Sequence, residues 1–360
     1  MKISISDGMI ARATALRGNN ARLQALFRRA EAGEPLTLGV LGGSITAGAK
    51  ADSPDGRYAN RFADFLRRTF PHSAVTLVNA GIGATGSAIG AYRLQEHLLA
   101  YRPDLVIVEY AVNDGPGMAF INRAESDESI LRRCLEAGAA VVSLLLPRMD
   151  RRDAGDVQRT VASRYGVPVV DVISAVEPCF DGGNLQWSDY GADAVHPNDD
   201  GHALIAQLLG EYVQSVRAEA PDAAIPLPPI AVDRLHNAAM WDNTLPTETC
   251  GCFVPDPTGY KQFQNAWRAD APGAPLVFKR TCRTAMLLVR RSILPEYGVA
   301  RVRVAWETGC VEHIVDARFP NGWGDYPMPV PIFQSDAPTE ITVTVTVEQG
   351  AFLFLRLMDS

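Results

Sequence analysis

The sequence predicts a doubly wound α/β domain built on a parallel sheet, followed by a smaller all-β sandwich. Short apolar runs alternate with amphipathic stretches from about residue 36 to residue 217, which is the pattern of strand and helix in such a sheet. Helical periodicity disappears after a proline-rich segment at residues 220–230. The length of 360 residues also fits two domains of ordinary size.

Five nearly continuous apolar runs predict the strands of the first domain. A parallel strand covered by helices on both sides meets water on neither face, so it is apolar throughout instead of alternating. The runs are 36–41 (LTLGVL), 74–80 (AVTLVNA), 105–112 (LVIVEYAV), 139–146 (AAVVSLLL) and 167–173 (VPVVDVI).

Amphipathic stretches between these runs predict the helices. Residues 58–69, 89–101 and 125–137 carry apolar side chains at helical spacing, with Arg and Glu on the other face. A last helix is expected over 201–217, after the turn sequence PNDD at 197–200. Helices that connect parallel strands make right-handed crossovers, which gives the doubly wound sheet.

A change of composition divides the chain into a first domain at 1–219, a linker at 220–230 and a second domain at 231–360. Four prolines within eleven linker residues (APDAAIPLPPI) favour an extended, semi-rigid chain. Alternation in ITVTVTV and FLFLRL indicates half-buried antiparallel strands, and turn residues separate the runs, as in a β-sandwich. The predicted strands are 276–279, 285–290, 300–306, 340–347 and 351–357.

Composition and charge exclude several classes of function. With 34 basic and 41 acidic side chains, the formal charge is -7, which argues against binding a nucleic-acid backbone. No apolar run approaches the roughly 18 residues that span a bilayer, and the first residues lack the pattern of a signal peptide, so we expect a cytoplasmic protein. The six cysteines are scattered and expected to be free thiols. No His or Cys set has metal-ligand spacing, so neither a metal nor a cofactor is expected.

Two sequence blocks bring together the residue types of nucleophilic catalysis. GGSIT at 42–46 follows the first predicted strand, and loops at the carboxyl ends of parallel strands line the ligand cleft. DAVHP at 193–197 lies just before the last helix. A serine hydroxyl needs an adjacent base, and a histidine base needs a carboxylate partner, so Asp193 and His196 can serve Ser44 across the cleft. Taken singly, each block is more often a turn or a cap.

Two further blocks follow the second and third strands on the same rim. They are NAGIGATG at 79–86 and AVND at 111–114. An acyl-transfer enzyme places hydrogen-bond donors where negative charge develops, and a loop amide together with the side chain of Asn113 would meet that need.

In this order, the four blocks resemble the SGNH (GDSL-like) hydrolase superfamily, in the bacterial branch that has GGSIT as its first block. The resemblance covers roughly residues 20–217 and implies a three-layer αβα sandwich. It implies that Ser44 is the nucleophile, His196 the general base and acid, and Asp193 the residue that orients His196. The implied oxyanion hole consists of the backbone N–H groups of Ser44 and Ala84 and the side chain of Asn113. The superfamily usually has glycine where Ala84 stands, and an alanine amide serves there if the backbone avoids positive φ.

The resemblance implies a serine esterase, and the second domain is the clue to its substrate. SGNH proteins hydrolyse acetylated sugars, lysophospholipids, thioesters and aryl esters, among which the fold does not choose. Aromatic faces stack on sugar rings, and Trp323 and Tyr326 stand in a Gly- and Pro-rich segment at 319–327 that is expected to form an exposed loop. We interpret both as candidate sugar-binding residues. The two-domain order resembles intracellular O-acetylesterases of the carbohydrate esterase 17 type, which act on mannan or xylan oligosaccharides.

Two alternatives remain open at this point. An SGNH lipase or thioesterase would act on longer acyl esters, although the polar segment at 49–57 disfavours an acyl tunnel. A non-catalytic carbohydrate-binding protein would keep the hydrolase scaffold without its activity. As an alternative to an exposed sugar-binding position, Trp323 equally fits a place in the sandwich core or against the first domain. The second domain could also serve as an interface, so the sequence leaves the oligomeric state open.

Overall fold

The computed structural model describes residues 3–115 and 123–360. They form two compact units that divide between Asp233 and Arg234, each with its own hydrophobic core. None of the described helices is both long and apolar enough to cross a membrane.

The first unit contains a five-stranded parallel sheet, and this confirms the predicted α/β fold. The strand order is β2-β1-β3-β4-β5, so the chain moves outward from β1 in one direction and then returns to build β3, β4 and β5 on the other side. The strand order therefore reverses between β1 and β3, and ligands of such sheets bind at that point, beyond the carboxyl ends of the strands. The strands are β1 (Leu36–Gly42), β2 (Val75–Gly81), β3 (Leu105–Glu109), β4 (Ala140–Leu145) and β5 (Val169–Asp171).

Ten described α-helices accompany this sheet, together with short 3₁₀ turns at Pro54–Gly56 and Leu99–Tyr101. The helix predicted over 58–69 has the predicted bounds, because its apolar residues repeat at helical spacing and are buried. The helices are α1 (Asp7–Ala13), α2 (Ala21–Glu31), α3 (Ser44–Ala47), α4 (Tyr58–Thr69), α5 (Ser87–His97), α6 (Arg123–Glu136), α7 (Gly155–Arg164), α8 (Val172–Asp181), α9 (Trp187–Tyr190) and α10 (Asp199–Arg217).

Two predicted strands extend too far, and local hydrogen bonds explain both differences. The run at 105–112 stops being a strand after Glu109, since the N–H groups of Asn113 and Asp114 both donate to the Tyr110 carbonyl and close a turn. The run at 167–173 ends at Asp171, whose carboxylate accepts from the Ser174 N–H at 2.9 Å and so caps α8. Apolar periodicity does not detect such a cap.

The proline-rich segment has neither helix nor strand, but it is not a free spacer. Arg132 of α6 donates to the Pro228 carbonyl at 2.6 Å. Just beyond the segment, the buried carboxylate of Glu128 accepts from the N–H groups of Ala231 and Val232 at 2.9 and 3.2 Å. These bonds hold the chain against the first unit, which is why that unit continues to Asp233 instead of ending at residue 219.

The second unit is an antiparallel all-β domain, as predicted. Its strands form one hydrogen-bonded network in the order β11-β10-β12-β9-β13-β8-β7, with β6 paired to β13. The strands are β6 (Ala239–Trp241), β7 (Val254–Asp256), β8 (Ala266–Ala269), β9 (Leu276–Arg291), β10 (Val299–Trp306), β11 (Gly309–Asp316), β12 (Tyr326–Gln349) and β13 (Phe352–Asp359).

The network folds over on itself into the two layers of a sandwich. Phe354 of β13 pairs in register with Val289 of β9, whereas Phe278 lies eleven residues earlier on β9. In a flat sheet about 36 Å would separate Phe278 from Phe354, at about 3.3 Å per residue. Their ring centroids are 6.1 Å apart, so the two ends of β9 face one core.

Sequence analysis did not predict the first half of β12, because this half contains several prolines. Pro327, Pro329 and Pro331 pair with β9 in register, although proline usually argues against a strand. They occupy alternate positions, and among the described strands this half of β12 pairs with β9 alone. Alternate residues of an edge strand point their nitrogens away from the partner, so proline loses no hydrogen bond there. Strands β6, β7, β8 and β11 were likewise not predicted.

Candidate active site

Three predicted residues meet at the carboxyl end of β1. Ser44 is the first residue of α3, and its Oγ lies 2.9 Å from Nε2 of His196. The other imidazole nitrogen, Nδ1, lies 2.9 and 3.0 Å from the two carboxylate oxygens of Asp193. When Nδ1 carries the proton and donates to Asp193, Nε2 is free to accept a proton from the Ser44 hydroxyl.

Backbone hydrogen bonds shape the loop that carries Asp193 and His196. Oδ1 of Asp193 accepts from the N–H groups of Val195 and His196 at 2.9 and 2.8 Å. The indole N–H of Trp187 donates to the Asp193 carbonyl at 2.7 Å, and the Ala192 N–H donates to the His196 carbonyl at 2.8 Å. The loop is therefore fixed from both sides. Sequence analysis missed Trp187, which carries no motif of its own.

These contacts keep Asp193 ionised. Partial burial acts to raise the pKa of Asp193, but the hydrogen bonds from the His196 N–H, its imidazole and the Val195 N–H outweigh it and lower the pKa to about 2. Since the folded pKa lies below the ordinary value, the stabilisation is present above that ordinary value and is lost as pH falls through about 2. Asp193 is thus an anion at any pH at which an imidazole base is active.

The predicted oxyanion donors lie on neighbouring segments of the chain. Asn113 lies in the turn after β3, and its Nδ2 donates to the Thr85 carbonyl at 2.8 Å. A side chain on Gly43 would place its Cβ 2.7 Å from this Nδ2, so the amide lies directly against the residue before Ser44. Within the described part of the chain, no acceptor is bonded to the N–H of Ser44 or of Ala84. The arrangement leaves donors available to a developing oxyanion.

The structure does not meet the condition that sequence analysis set for Ala84, a backbone that avoids positive φ. The φ of Ala84 is +62°, in the left-handed region that the superfamily's usual glycine adopts without cost. For an alanine, this conformation costs roughly 1–2 kcal/mol, because Cβ crowds the following carbonyl. The N–H remains in place, so the alanine changes the conformational energy of the loop and not the inventory of donors.

Replacing Ala84 by glycine is expected to increase the free energy of unfolding by about 0.5–1 kcal/mol, since relief of the strain exceeds the entropy that glycine adds to the unfolded chain. The kcat should stay within about twofold, because the N–H donor remains. Urea unfolding and acetyl ester hydrolysis measure the two quantities. Ala80→Gly in β2 is the matched control and should destabilise by about 0.5–1 kcal/mol. Equal destabilisation by both substitutions would contradict the strain at Ala84.

Two other polar residues near the site have structural contacts. The Asp114 carboxylate accepts from the Ser87 N–H at 2.8 Å, at the first residue of α5, and burial raises its pKa to about 6. The buried imidazole of His202 accepts from the Tyr58 N–H at 3.3 Å, and its Nε2 lies 3.0 Å from the Ala49 carbonyl oxygen. Both residues brace elements around Ser44.

The candidate sugar-binding residues lie in the second unit. Trp323 is 71% exposed and stacks on Tyr326, with ring centroids 5.3 Å apart and an interplanar angle of 25°. Trp323 is therefore not a core residue, whereas Trp267 is buried. Tyr326 is half-buried at the start of β12, and its hydroxyl accepts from Arg291 at 3.0 Å. The pair presents an aromatic face to solvent, as a sugar-stacking surface requires.

Comparison with known proteins identifies the first domain. The model of the GDSL-like Lipase/Acylhydrolase family matches residues 40–204, a span that holds all four blocks. The first domain belongs to the GDSL-like lipase/acylhydrolase family. The chain is accordingly a carboxylic ester hydrolase. No curated protein matches it in sequence.

Solved structures extend the likeness of this GDSL-like acylhydrolase to both domains. It is similar to the crystal structure of a two-domain esterase (CEX) active on acetylated mannans, with a TM-score of 0.89 and 26% identity over 98% of each chain. A structure of a two-domain esterase (CEX) co-crystallised with mannopentaose gives a TM-score of 0.86 and 27% identity, over 98% of this chain and 97% of the other. The succession of catalytic domain and β-domain is thus shared along nearly the whole length.

Proposed function

We propose that the protein is a serine esterase that removes O-acetyl groups from mannan-derived oligosaccharides through an acyl-enzyme on Ser44. The observation that carries the proposal is the hydrogen-bonded chain from Ser44 Oγ through His196 to Asp193, in a protein similar over 98% of its length to an esterase active on acetylated mannans. That likeness, which spans both domains, favours mannan over xylan as the source of the oligosaccharide.

The proposed reaction has two steps. Ser44 Oγ attacks the acetyl carbonyl while its proton passes to Nε2 of His196, and Asp193 stabilises the imidazolium. The negative charge on the carbonyl oxygen is stabilised by the N–H groups of Ser44 and Ala84 and by Nδ2 of Asn113. The imidazolium then protonates the departing sugar oxygen. In the second step His196 takes a proton from water, the hydroxide attacks the acetyl-enzyme, and acetate leaves as Ser44 regains its proton.

Polar surroundings support a sugar substrate over a long acyl chain. A pocket of about 450 Å³ lies beside the loop that carries Asp193. Hydroxyl groups find hydrogen-bonding partners in such a pocket, whereas an alkyl chain would remove charged groups from water without compensation. The lining residues are Lys50, Ala51, Asp52, Ala192, Asn198, Asp199 and Asp200. We keep the cytoplasmic location as a prediction.

Acetate release tests the proposal directly. The substrates are acetylated manno-oligosaccharides, acetylated xylo-oligosaccharides and medium-chain p-nitrophenyl esters, with Ser44→Ala as the blank. We expect Ser44-dependent acetate release that is fastest from the manno-oligosaccharides. Faster turnover of the medium-chain esters would favour a lipase or thioesterase. Binding of the sugars without any hydrolysis would indicate a non-catalytic carbohydrate-binding protein.

A further inference from the structure

Beneath the turn that presents Ser44 lies a buried carboxyl group that the proposed mechanism does not use. Glu109 is the last residue of β3 and is 1% exposed. Its Oε2 lies 3.0 Å from the hydroxyl oxygen of Thr46, and its carboxyl group also accepts the N–H of Gly43. Glu109 is therefore bonded to residues on both sides of Ser44.

The same group belongs to a hydrogen-bonded network that reaches the neighbouring helices. The Thr46 hydroxyl lies 2.7 Å from the hydroxyl of Tyr58 on α4. Tyr58 in turn stacks on His202 of α10, with ring centroids 6.3 Å apart, and donates its N–H to that imidazole. The turn that carries Ser44 is thus connected through Glu109 and Thr46 to β3, α4 and α10.

The surroundings of Glu109 favour its uncharged form. Burial is the largest influence and raises the pKa of Glu109 to about 8, although the bonds from Thr46 and Gly43 act to lower it. No basic side chain among the described residues bonds to it. Titratable and charged groups surround it on every side. They are Tyr58 of α4, Arg93 of α5, which donates to the Gly42 carbonyl and the Tyr110 hydroxyl, Tyr110 and Asp114 of the turn after β3, Tyr190 of α9 and His202 of α10.

We propose that Glu109 is a positioning residue whose uncharged carboxyl group holds the Gly43–Thr46 turn, and that its ionisation slows acyl transfer. The inference rests on the proposed function of Ser44. An uncharged carboxyl group fixes the turn without adding charge, whereas a carboxylate would place an unpaired anion beneath the developing oxyanion and oppose it. The kcat is therefore expected to decline at alkaline pH. We assign this decline to the ionisation of Glu109 and not to His196 or Asp193.

Glu109→Gln tests the inference, because glutamine keeps the shape and hydrogen-bonding capacity but cannot ionise. With a pKa of about 8, the neutral fraction of Glu109 falls about tenfold between pH 7 and pH 9, and kcat of the wild type should fall with it. The glutamine variant should keep kcat at pH 7 within about threefold and show no decline to pH 9. Glu109→Leu should lose about tenfold in kcat at pH 7 with little change in KM, because the turn loses both bonds.

An alkaline decline that persists in the glutamine variant would overturn the inference, as would equal kcat values for the glutamine and leucine variants. Thr46→Val supplies a second test that leaves Glu109 in place. Loss of the hydroxyl removes a bond that lowers the pKa of Glu109, so the alkaline decline should move to higher pH, while Thr46→Ser should leave it where it is. An alkaline decline at the wild-type pH in Thr46→Val contradicts the proposal.

The rates are measured as acetate release from an activated acetyl ester, so the result does not depend on the identity of the sugar. If the wild-type protein shows no Ser44-dependent hydrolysis at any pH, the proposed function is refuted. Ser44-dependent hydrolysis with the same pH profile in wild type and Glu109→Gln would refute only the role of Glu109.

Discussion

Ser44→Ala is expected to lower kcat on acetylated manno-oligosaccharides by at least about 10⁴-fold. Without Oγ no acyl-enzyme forms, and only binding and oxyanion stabilisation remain. The substitution removes one oxygen from a half-buried position, so the midpoint of thermal unfolding should change by only a few degrees. Steady-state acetate release and thermal unfolding measure the two effects.

Ser188→Ala is the matched control, because Ser188 lies exposed on α9 and its hydroxyl has no bond within the described part of the chain. This variant should keep wild-type kcat. Activity of Ser44→Ala within tenfold of the wild type, with the same KM, would remove Ser44 from the mechanism. Loss of activity in both serine variants would point to general damage to the fold.

Asp193→Asn should lower kcat by about 10³–10⁴-fold with little change in KM. The amide keeps an oxygen for the Val195 and His196 N–H groups, so the loop retains its shape. Its NH₂ group cannot accept from Nδ1, which favours the imidazole tautomer with the proton on Nε2, opposite Ser44. That tautomer cannot accept the serine proton.

The matched control is Asp64→Asn, which removes a carboxylate from the exposed ion pair with Arg67 on α4 and should leave kcat unchanged. Burst kinetics with an activated acetyl ester show whether acylation itself slows in Asp193→Asn. A variant with wild-type acylation would mean that Asp193 does not set the tautomer of His196.

Sequence analysis located the candidate site because the strand that each block follows determines where the residues of that block lie in the sheet. Ser44 and Asn113 follow β1 and β3, and the carboxyl ends of neighbouring parallel strands share one edge of the sheet. The apolar runs predicted four of the five parallel strands to within two residues at both ends, since burial on both faces leaves a continuous apolar signal. The exception is β3, which ends three residues earlier than predicted. The order of the blocks along the chain was therefore sufficient to place their residues together.

What escaped prediction depends on contacts between residues far apart in sequence. Trp187 fixes the loop of Asp193 through its indole N–H, and nothing in its own segment indicates this bond. The sequence does not indicate the positive φ of Ala84, because alanine normally adopts a negative φ. The role inferred for Glu109 required the bonds to Gly43 and Thr46, which join residues more than sixty positions apart in the sequence.

Detection of the acetyl-enzyme tests the central claim most directly. The wild-type protein is mixed with acetylated manno-oligosaccharide, quenched with acid during turnover, digested and mapped by mass spectrometry. We predict one acetyl group on the peptide that contains Ser44, and none on the corresponding peptide of Ser44→Ala. Acetate release at the full wild-type rate without any acetyl group on Ser44 would contradict the account.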